Sequence, residues 1–357
     1  MMNDPSLEID FLSVETKKSG DAIPIRSIRN GVQTVYVVDG GYSETGPRIL
    51  EHVAKYYGSP QSITHVVLTH PDRDHAIGLQ HVLENSTVQN LWMHRPWTYA
   101  DELIGRFPSY TSVDRLRSRL RALYPYASKL EELAIERGIP IHEAFQGTRI
   151  GEFTIVSPSR QFFLDLIVES ERTPEGISQE TINAGILEAL KKSALKLIAR
   201  VWGEETFSSN ETSAENEMSI VQFANFEGTS FLLTGDAGRR SLAMAADYMP
   251  FVGHSLPGID RFQIPHHGSR RNFSSELANL WLGPVQPRGT SLGFEAFVSS
   301  AKEDEDHPRS VVLRAVKHRG GETYRTEGKS LVTGHNRPHR EGWTSAAPAP
   351  YPESEEE

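Results

Sequence analysis

The chain contains no cysteine. Disulfides, thiolate-bound zinc and a cysteine nucleophile are therefore excluded, and any metal must be held by imidazole and carboxylate. Also missing is any apolar run near the roughly 18 to 20 residues that span a bilayer. The opening MMNDPSLEID has neither a basic n-region nor an apolar h-region. No membrane partner is expected, and a cytoplasmic location is. Basic charge is in deficit, with 37 Lys and Arg against 47 Asp and Glu, a formal net charge of -10. That argues against broad adhesion to nucleic acid, and a polyanionic substrate would need a locally positive site. There is no G-x-S-x-G elbow in a strand-turn-helix setting and no repeat at a fixed period.

What is present is a globular composition, 357 residues with 38% hydrophobic, enough to bury a sizeable core. Strand-like runs open the chain at Phe11–Val14, Ala22–Arg26 and Thr34–Val38, the last ending in Asp39-Gly40-Gly41. A helix is predicted from about Pro47 to Tyr57, then a buried strand at His65–Leu68. Alternation returns at Met218–Phe223 and Phe231–Thr234, joined through Gly228 as a hairpin. Strand-helix pairs follow at Arg261–Ile264 with Ser274–Trp281, and at Ala296–Ser299 with Pro308–His318. Charged helical segments are predicted around Val113–Arg137 and Ile182–Ile198, flanking a strand at Phe153–Val156. The polar stretch Glu204–Glu217 reads as a mobile loop. Residues 341–357, with three prolines, five acids and no base, read as a disordered tail. The expected organisation is one domain over 1–340 with a helical elaboration at about 97–215. Strand runs followed by a helix in both halves suit a two-sheet, helix-flanked sandwich.

Chemistry concentrates in His70-Pro71-Asp72-Arg73-Asp74-His75, directly after the His65–Leu68 strand. Four potential ligands in six residues are hard to explain as packing. An extended loop can point residues 70, 72 and 74 one way, and His75 adds a fourth donor. Taken alone, Asp72 or Asp74 would read as a helix N-cap. As a cluster they are the donor types that bind zinc, manganese or iron when thiolate is absent.

THPDRDHAIG resembles the metallo-β-lactamase superfamily signature H-x-H-x-D-H, in the H-x-D-x-D-H variant of the ComEC nuclease-domain group and the related bacterial phosphorylcholine esterases. Further likeness lies in Gly20-Asp21-Ala22, in Asn216–Val221 leading to Leu232-Leu233-Thr234-Gly235-Asp236, in Pro265-His266-His267-Gly268-Ser269, and in the Lys302 to His307-Pro308 segment. The resemblance covers roughly residues 10 to 335, apart from the middle elaboration. It implies an α/β (α+β) fold, an αββα sandwich of two mixed β-sheets flanked by helices.

The resemblance also implies roles. His70 and Asp72 would hold one divalent ion and Asp74 and His75 a second, with Asp236 bridging. Asp74 would thus also belong to the catalytic centre. His307 would be a late ligand. His94, placed where many superfamily members supply a third imidazole, is a candidate ligand or a packed histidine. Asp39 would hold a ligand imidazole from behind. Of the adjacent histidines, one is expected to face the metals; His267 is taken as the catalytic acid or phosphate donor, and His266, Ser269, Arg270 and Lys302 as substrate contacts, with Arg271 beside them. The cofactors implied are two ions, Zn2+ or Mn2+.

Metal-assisted hydrolysis of a phosphodiester, with a nucleotide or nucleic acid as substrate, is the leading expectation. The alternatives are hydrolysis of a lactone, thioester or amide on the same fold, and a metal-stabilised scaffold in a larger, for instance defence, assembly with protein partners.

Overall fold

The structure is a computed structural model, and it describes residues 4–173 and 197–356. The predicted helix at Ile182–Ile198 lies outside the described residues up to 196. In chain order the first half comprises β1 Ser6–Phe11, β2 Ala22–Arg29, β3 Val32–Gly40, α1 Thr45–Tyr56, β4 His65–Val67, α2 Arg73–Asn85, β5 Leu91–Trp92 and α3 Ala100–Leu103. It continues with α4 Val113–Leu123, α5 Pro125–Glu136, β6 Ile141–His142, β7 Arg149–Ile150, β8 Phe153–Ser157 and α6 Arg160–Glu169. Then come β9 Leu197–Ala199, α7 Ala214–Glu217, β10 Val221–Phe226, β11 Thr229–Leu233, α8 Arg239–Tyr248, β12 Arg261–Gln263 and α9 Ser275–Leu282. The chain closes with β13 Glu295–Val298, α10 Ser310–His318, β14 Glu322–Arg325, β15 Leu331–His335 and β16 Ser354–Glu356.

Two mixed sheets form, in the orders β15-β1-β2-β3-β4-β5-β6 and β14-β13-β12-β11-β10-β8-β7. Alternation of side chains across each strand builds the layers. In β3, Tyr36 and Val38 face the core between the sheets, while Val35 and Val37 face the helices. In β11, Phe231 and Leu233 face inward and Leu232 faces α8 and α9. Inter-sheet packing includes Phe11 stacked on Phe297 at 5.2 Å. The expected αββα sandwich of two mixed sheets with flanking helices is what forms.

The predicted hairpin is β10–β11, in register from Gln222↔Leu233 to Phe226↔Thr229. Pro125 divides the predicted Val113–Arg137 helix into α4 and α5, because its ring removes a helical N–H and restricts Tyr124 before it. These helices belong to the layer packed on α2. At the start of the chain, Phe11 ends a strand instead of beginning one. Glu8 and Asp10 made that stretch look solvated, yet both are buried against arginines: Arg26 pairs with Glu8 at 2.5 Å, and Arg340 with Asp10 at 2.5 Å and Glu8 at 2.6 Å. β14 and β15 went unread, being short and interrupted by charge.

Two disorder expectations are corrected. Glu205, in the stretch expected as a mobile loop, is buried against Arg319 at 2.6 Å and His318 at 2.8 Å. Its far end forms α7, where Glu217 accepts the Ser241 amide at 2.7 Å at the start of α8. The tail expected to be disordered packs on the body: β16 pairs antiparallel with β9, Glu355 is buried beside Arg314 at 3.1 Å, and Tyr351 lies 5.2 Å from the Trp202 ring. In both stretches buried cations elsewhere in the chain neutralise acids that composition alone assigns to solvent.

Candidate metal centre

The loops after four strands meet at one end of the sandwich: residues 68–75 after β4, Gly235-Asp236 after β11, Pro265–Ser269 after β12, and Ser299–His307 after β13. The start of β2 adds Asp21 and the end of β3 adds Asp39. The metal loop can come this close because α2 crosses β3 at Gly78, where a Cβ would fall on the carbonyl oxygen of Gly40.

Three buried histidines share one arrangement. His75 meets Asp39 Oδ2 through Nδ1 at 2.8 Å, His267 meets the Ser299 carbonyl through Nδ1 at 2.9 Å, and His70 meets Thr69 Oγ1 through Nδ1 at 3.1 Å. In each ring Nε2 is buried without a hydrogen-bond partner. A carboxylate or carbonyl accepting Nδ1–H leaves the Nε2 lone pair free, the tautomer a metal ligand needs. Asp39 also accepts the Thr69 amide at 2.8 Å, so one carboxylate sets both the loop and the ring.

The free nitrogens converge on Asp236, whose Oδ1 is likewise orphaned. His75 Nε2 lies 3.3 Å and His267 Nε2 3.8 Å from Oδ1, while His266 Nε2 lies 3.5 Å and His70 Nε2 3.7 Å from Oδ2. Asp74 Oδ2 stands 3.5 Å from His267 Nε2 and 3.8 Å from His75 Nε2; Asp72 Oδ2 stands 3.9 Å from His70 Nε2. Asp21, His75, Asp236 and His267 can each offer one atom within 4.8 Å of the others. Uncompensated buried polar atoms are costly, and a cation at their centre would satisfy them together. The donor set fits divalent metal.

The charges agree. Burial, with the neighbouring charge of His75, pushes His70 down to about 3. Burial also opposes a charge on His75 and His267, but Asp236, Asp39 and Asp74 around the first hold it well above the ordinary histidine value, and Asp236 and Asp74 carry the second up to about 9. Asp74, despite burial, is drawn down to about 2 by His75 and His267. Buried Asp21 is raised.

Several sequence expectations change here. Both adjacent histidines approach Asp236, not one. His266 and His267 each take positive φ, 47° and 54°, a strained pair that splays the rings to opposite oxygens. His267, expected as a substrate-facing acid, lies within the group of four residues that could hold a metal ion. His307, expected as a ligand, lies beside the cluster, its Nδ1 3.3 Å from Asp304 and its ring stacked on His266 at 5.5 Å. His94 is wedged between Phe145 and Phe163, each 4.5 Å away, and burial lowers it to about 3; it borders a small void with His70 but lies outside the four-residue cluster.

Among the expected substrate contacts, Ser269 is buried and its Oγ accepts the Arg271 amide at 3.3 Å. Arg270 donates to the Glu356 carbonyl at 3.3 Å, toward the tail. Lys302 is exposed on a turn tied to Glu15 through its amide.

The sequence reading missed three partners. Asp21 was noted only within its Gly-Asp-Ala motif; its place before a strand gave no sign that it would face His75. Asn272 Oδ1 lies 2.9 Å from His266 Nδ1. Arg172 pairs with Asp72 Oδ1 at 2.8 Å, leaving Oδ2 toward His70. No local motif marks either.

Residues 28–147 match the family model of the metallo-beta-lactamase superfamily. No curated protein matches the chain. Among solved structures, a variant of CmlA beta-hydroxylase aligns with TM-score 0.39 and 11% identity, over 93% of this chain and 54% of that one. The chain thus spans about half the length of that protein. Hydrolase AbOPH, in the beta lactamase superfamily, aligns with TM-score 0.29 and 10% identity, over 66% of this chain and 72% of that one. The two mixed sheets with flanking helices are consistent with the metallo-β-lactamase sandwich.

Proposed function

We propose that the chain is a metal-dependent hydrolase whose site holds two divalent ions and acts on a phosphodiester. The observation that carries this is the convergence of three Nδ1-anchored imidazoles, with their free Nε2 atoms, on the two oxygens of Asp236. Asp74, His75, His267 and Asp236 Oδ1 would hold one ion, with Asp21 beside them. His70, Asp72, His266 and Asp236 Oδ2 would hold the other. This replaces the division of labour in which His267 only meets substrate. The carboxylate-rich donor set suits zinc or manganese.

Such a pair of ions supplies a water acidified toward neutral pH and Lewis acidity at a substrate oxygen. The chain's own residues do the rest. Asp39 and the Ser299 carbonyl fix ring orientation, so no reorganisation is needed on substrate arrival. Arg172 occupies the outer oxygen of Asp72 and offsets its charge. His307, half-buried beside His266, is the imidazole available to donate a proton to a leaving alkoxide. A phosphodiester is favoured over a neutral ester because the resemblance of the His70–His75 loop points that way.

The deciding experiment measures metal content and turnover of bis-(p-nitrophenyl) phosphate beside lactone and β-lactam probes, with zinc and with manganese. Phosphodiester turnover with about two ions bound is expected. Full metal loading without phosphodiester turnover in either metal overturns the substrate assignment, and lactone turnover would replace it.

A further inference from the structure

Asp72 and Asp74 come from one loop and are equally exposed, at 24% and 25%, yet they meet different charges. Among the described residues, Asp74 pairs with imidazoles, His267 at 3.5 Å and His75 at 3.8 Å. Asp72 Oδ1 instead meets the permanent cation of Arg172 at 2.8 Å, while its Oδ2 faces His70 at 3.9 Å. Asp74 thus brings its charge to the centre, whereas Asp72 has one oxygen already engaged by a charge-assisted bond. Arg172 is itself fixed in place. Its Nε lies 3.7 Å from Glu215 Oε2, and buried Glu215 in α7 is held in turn by the hydroxyls of Tyr124, at 3.2 Å, and Ser170. The Arg172 amide donates to Ser170 Oγ at 3.1 Å. The guanidinium is therefore spanned between a buried carboxylate and Asp72.

The groups behind the imidazoles differ on the same two sides of Asp236. On the Oδ1 side, His75 is anchored on the Asp39 carboxylate at 2.8 Å and His267 on the Ser299 carbonyl at 2.9 Å. These two, with Asp236 and Asp21, form the compact group of four buried residues whose donor atoms lie within 4.8 Å of one another. On the Oδ2 side, His70 rests on the neutral hydroxyl of Thr69 at 3.1 Å, and His266 lies between the neutral amides of Asn272 and Asn216, each at 2.9 Å. An anionic partner raises the basicity of a coordinating imidazole, and a neutral amide or hydroxyl does so less. Charge and ring support therefore point the same way.

We infer that Arg172 makes the two sides of Asp236 unequal, so that the Oδ1 side takes a divalent ion first and the Oδ2 side takes a second, more weakly held and exchangeable one. This rests on the two-ion reading of the site and specifies how that site fills. A cation entering beside Asp72 meets a fixed guanidinium one carboxylate away, and a full charge at that range changes its affinity by about tenfold. Occupancy of the weaker position, and with it the two-ion form of the site, then follows the free concentration of the metal. Arg172 acts through Asp72 and is a positioning residue.

The test dialyses the full chain against chelator-buffered Zn2+ over a range of free-ion concentrations and reads the metal-to-protein ratio by elemental analysis. A plateau near one ion is expected, then a second step at a free concentration about tenfold higher or more. Arg172→Met, which keeps the stem and removes the charge, should move the second step alone to about tenfold lower free Zn2+. Arg172→Lys, which keeps the charge, should stay close to wild type. His266→Ala should delete the second step and leave the first in place. A residue that merely braced the loop would weaken binding when replaced, so a weaker or unchanged second step in Arg172→Met overturns the proposal. Uptake of both ions in a single step overturns it too, as does loss of the first step in His266→Ala. Turnover of bis-(p-nitrophenyl) phosphate by the same samples keeps the two questions apart. Ordered uptake without turnover removes the substrate assignment alone, and turnover with single-step uptake removes only this inference. Absence of any Zn2+ uptake overturns both.

Discussion

Asp39 Oδ2 lies 2.8 Å from His75 Nδ1, and its partner oxygen takes the amide of Thr69, next to His70. One buried carboxylate therefore presets the ring of His75 and the loop that carries His70. Because it acts through His75, Asp39→Ala should weaken metal binding by about 10- to 100-fold. Competition with a chromogenic chelator reads this directly. Unchanged metal affinity would mean that Asp39 serves only the loop.

His267 and His307 should separate cleanly. His267→Ala removes an Nε2 from the cluster and is expected to lose bound metal along with activity, whereas His307→Ala should keep its metal and lower kcat. Metal-to-protein ratios after gel filtration distinguish them. A His267→Ala protein with full metal content would restore the view of that residue as a substrate-facing acid.

Chelation should destabilise the fold. Ions bound only by the native state add stability of about 2.7 kcal/mol at one hundred times the dissociation constant. Melting curves with and without chelator should differ by several degrees, and in Asp236→Asn they should coincide.

Gly78→Ala tests the approach of α2 to β3. The added methyl meets backbone at Gly40, which has no side chain to move aside. A loss of about 3 kcal/mol is expected, with the metal loop displaced because it precedes the same helix. Urea denaturation together with metal content checks both effects. Wild-type stability would show that the helix can shift freely.

Acid stability should depend on Glu205. Although burial opposes its charge, bonds from His318, Arg319 and Ser275 bring it from 4.5 down to about 2. A carboxyl lowered on folding stabilises above its unfolded pKa. That contribution should be complete above pH 4.5 and drain away as pH falls through about 2. Glu205→Gln should be less stable at neutral pH and show a flatter loss over that window in thermal melts. Parallel curves for the two proteins would contradict the assignment.

Much of the chemistry was legible in the residues themselves. Zero cysteines and the His70–His75 loop name the donor types, and the strand-loop-helix pattern around them marks where a strand delivers ligands. Asp39 and Asp236 could be picked out because each ends an apolar strand. The β10–β11 hairpin was equally readable, since alternation and the Gly228 turn are local.

What the sequence by itself determined is the set of available donors and the strands that end in them, because composition and short-range periodicity act over a few residues. Tertiary structure alone decided which donors meet. Strand order in two sheets brings Asp21 and both His266 and His267 to Asp236, leaves His94 between two phenylalanines and His307 beside Asp304, and sends Arg172 to Asp72. The same holds for the acidic tail, whose order comes from buried Arg314 far away in the chain. Such pairings depend on register and layer packing between distant segments, which no local pattern encodes.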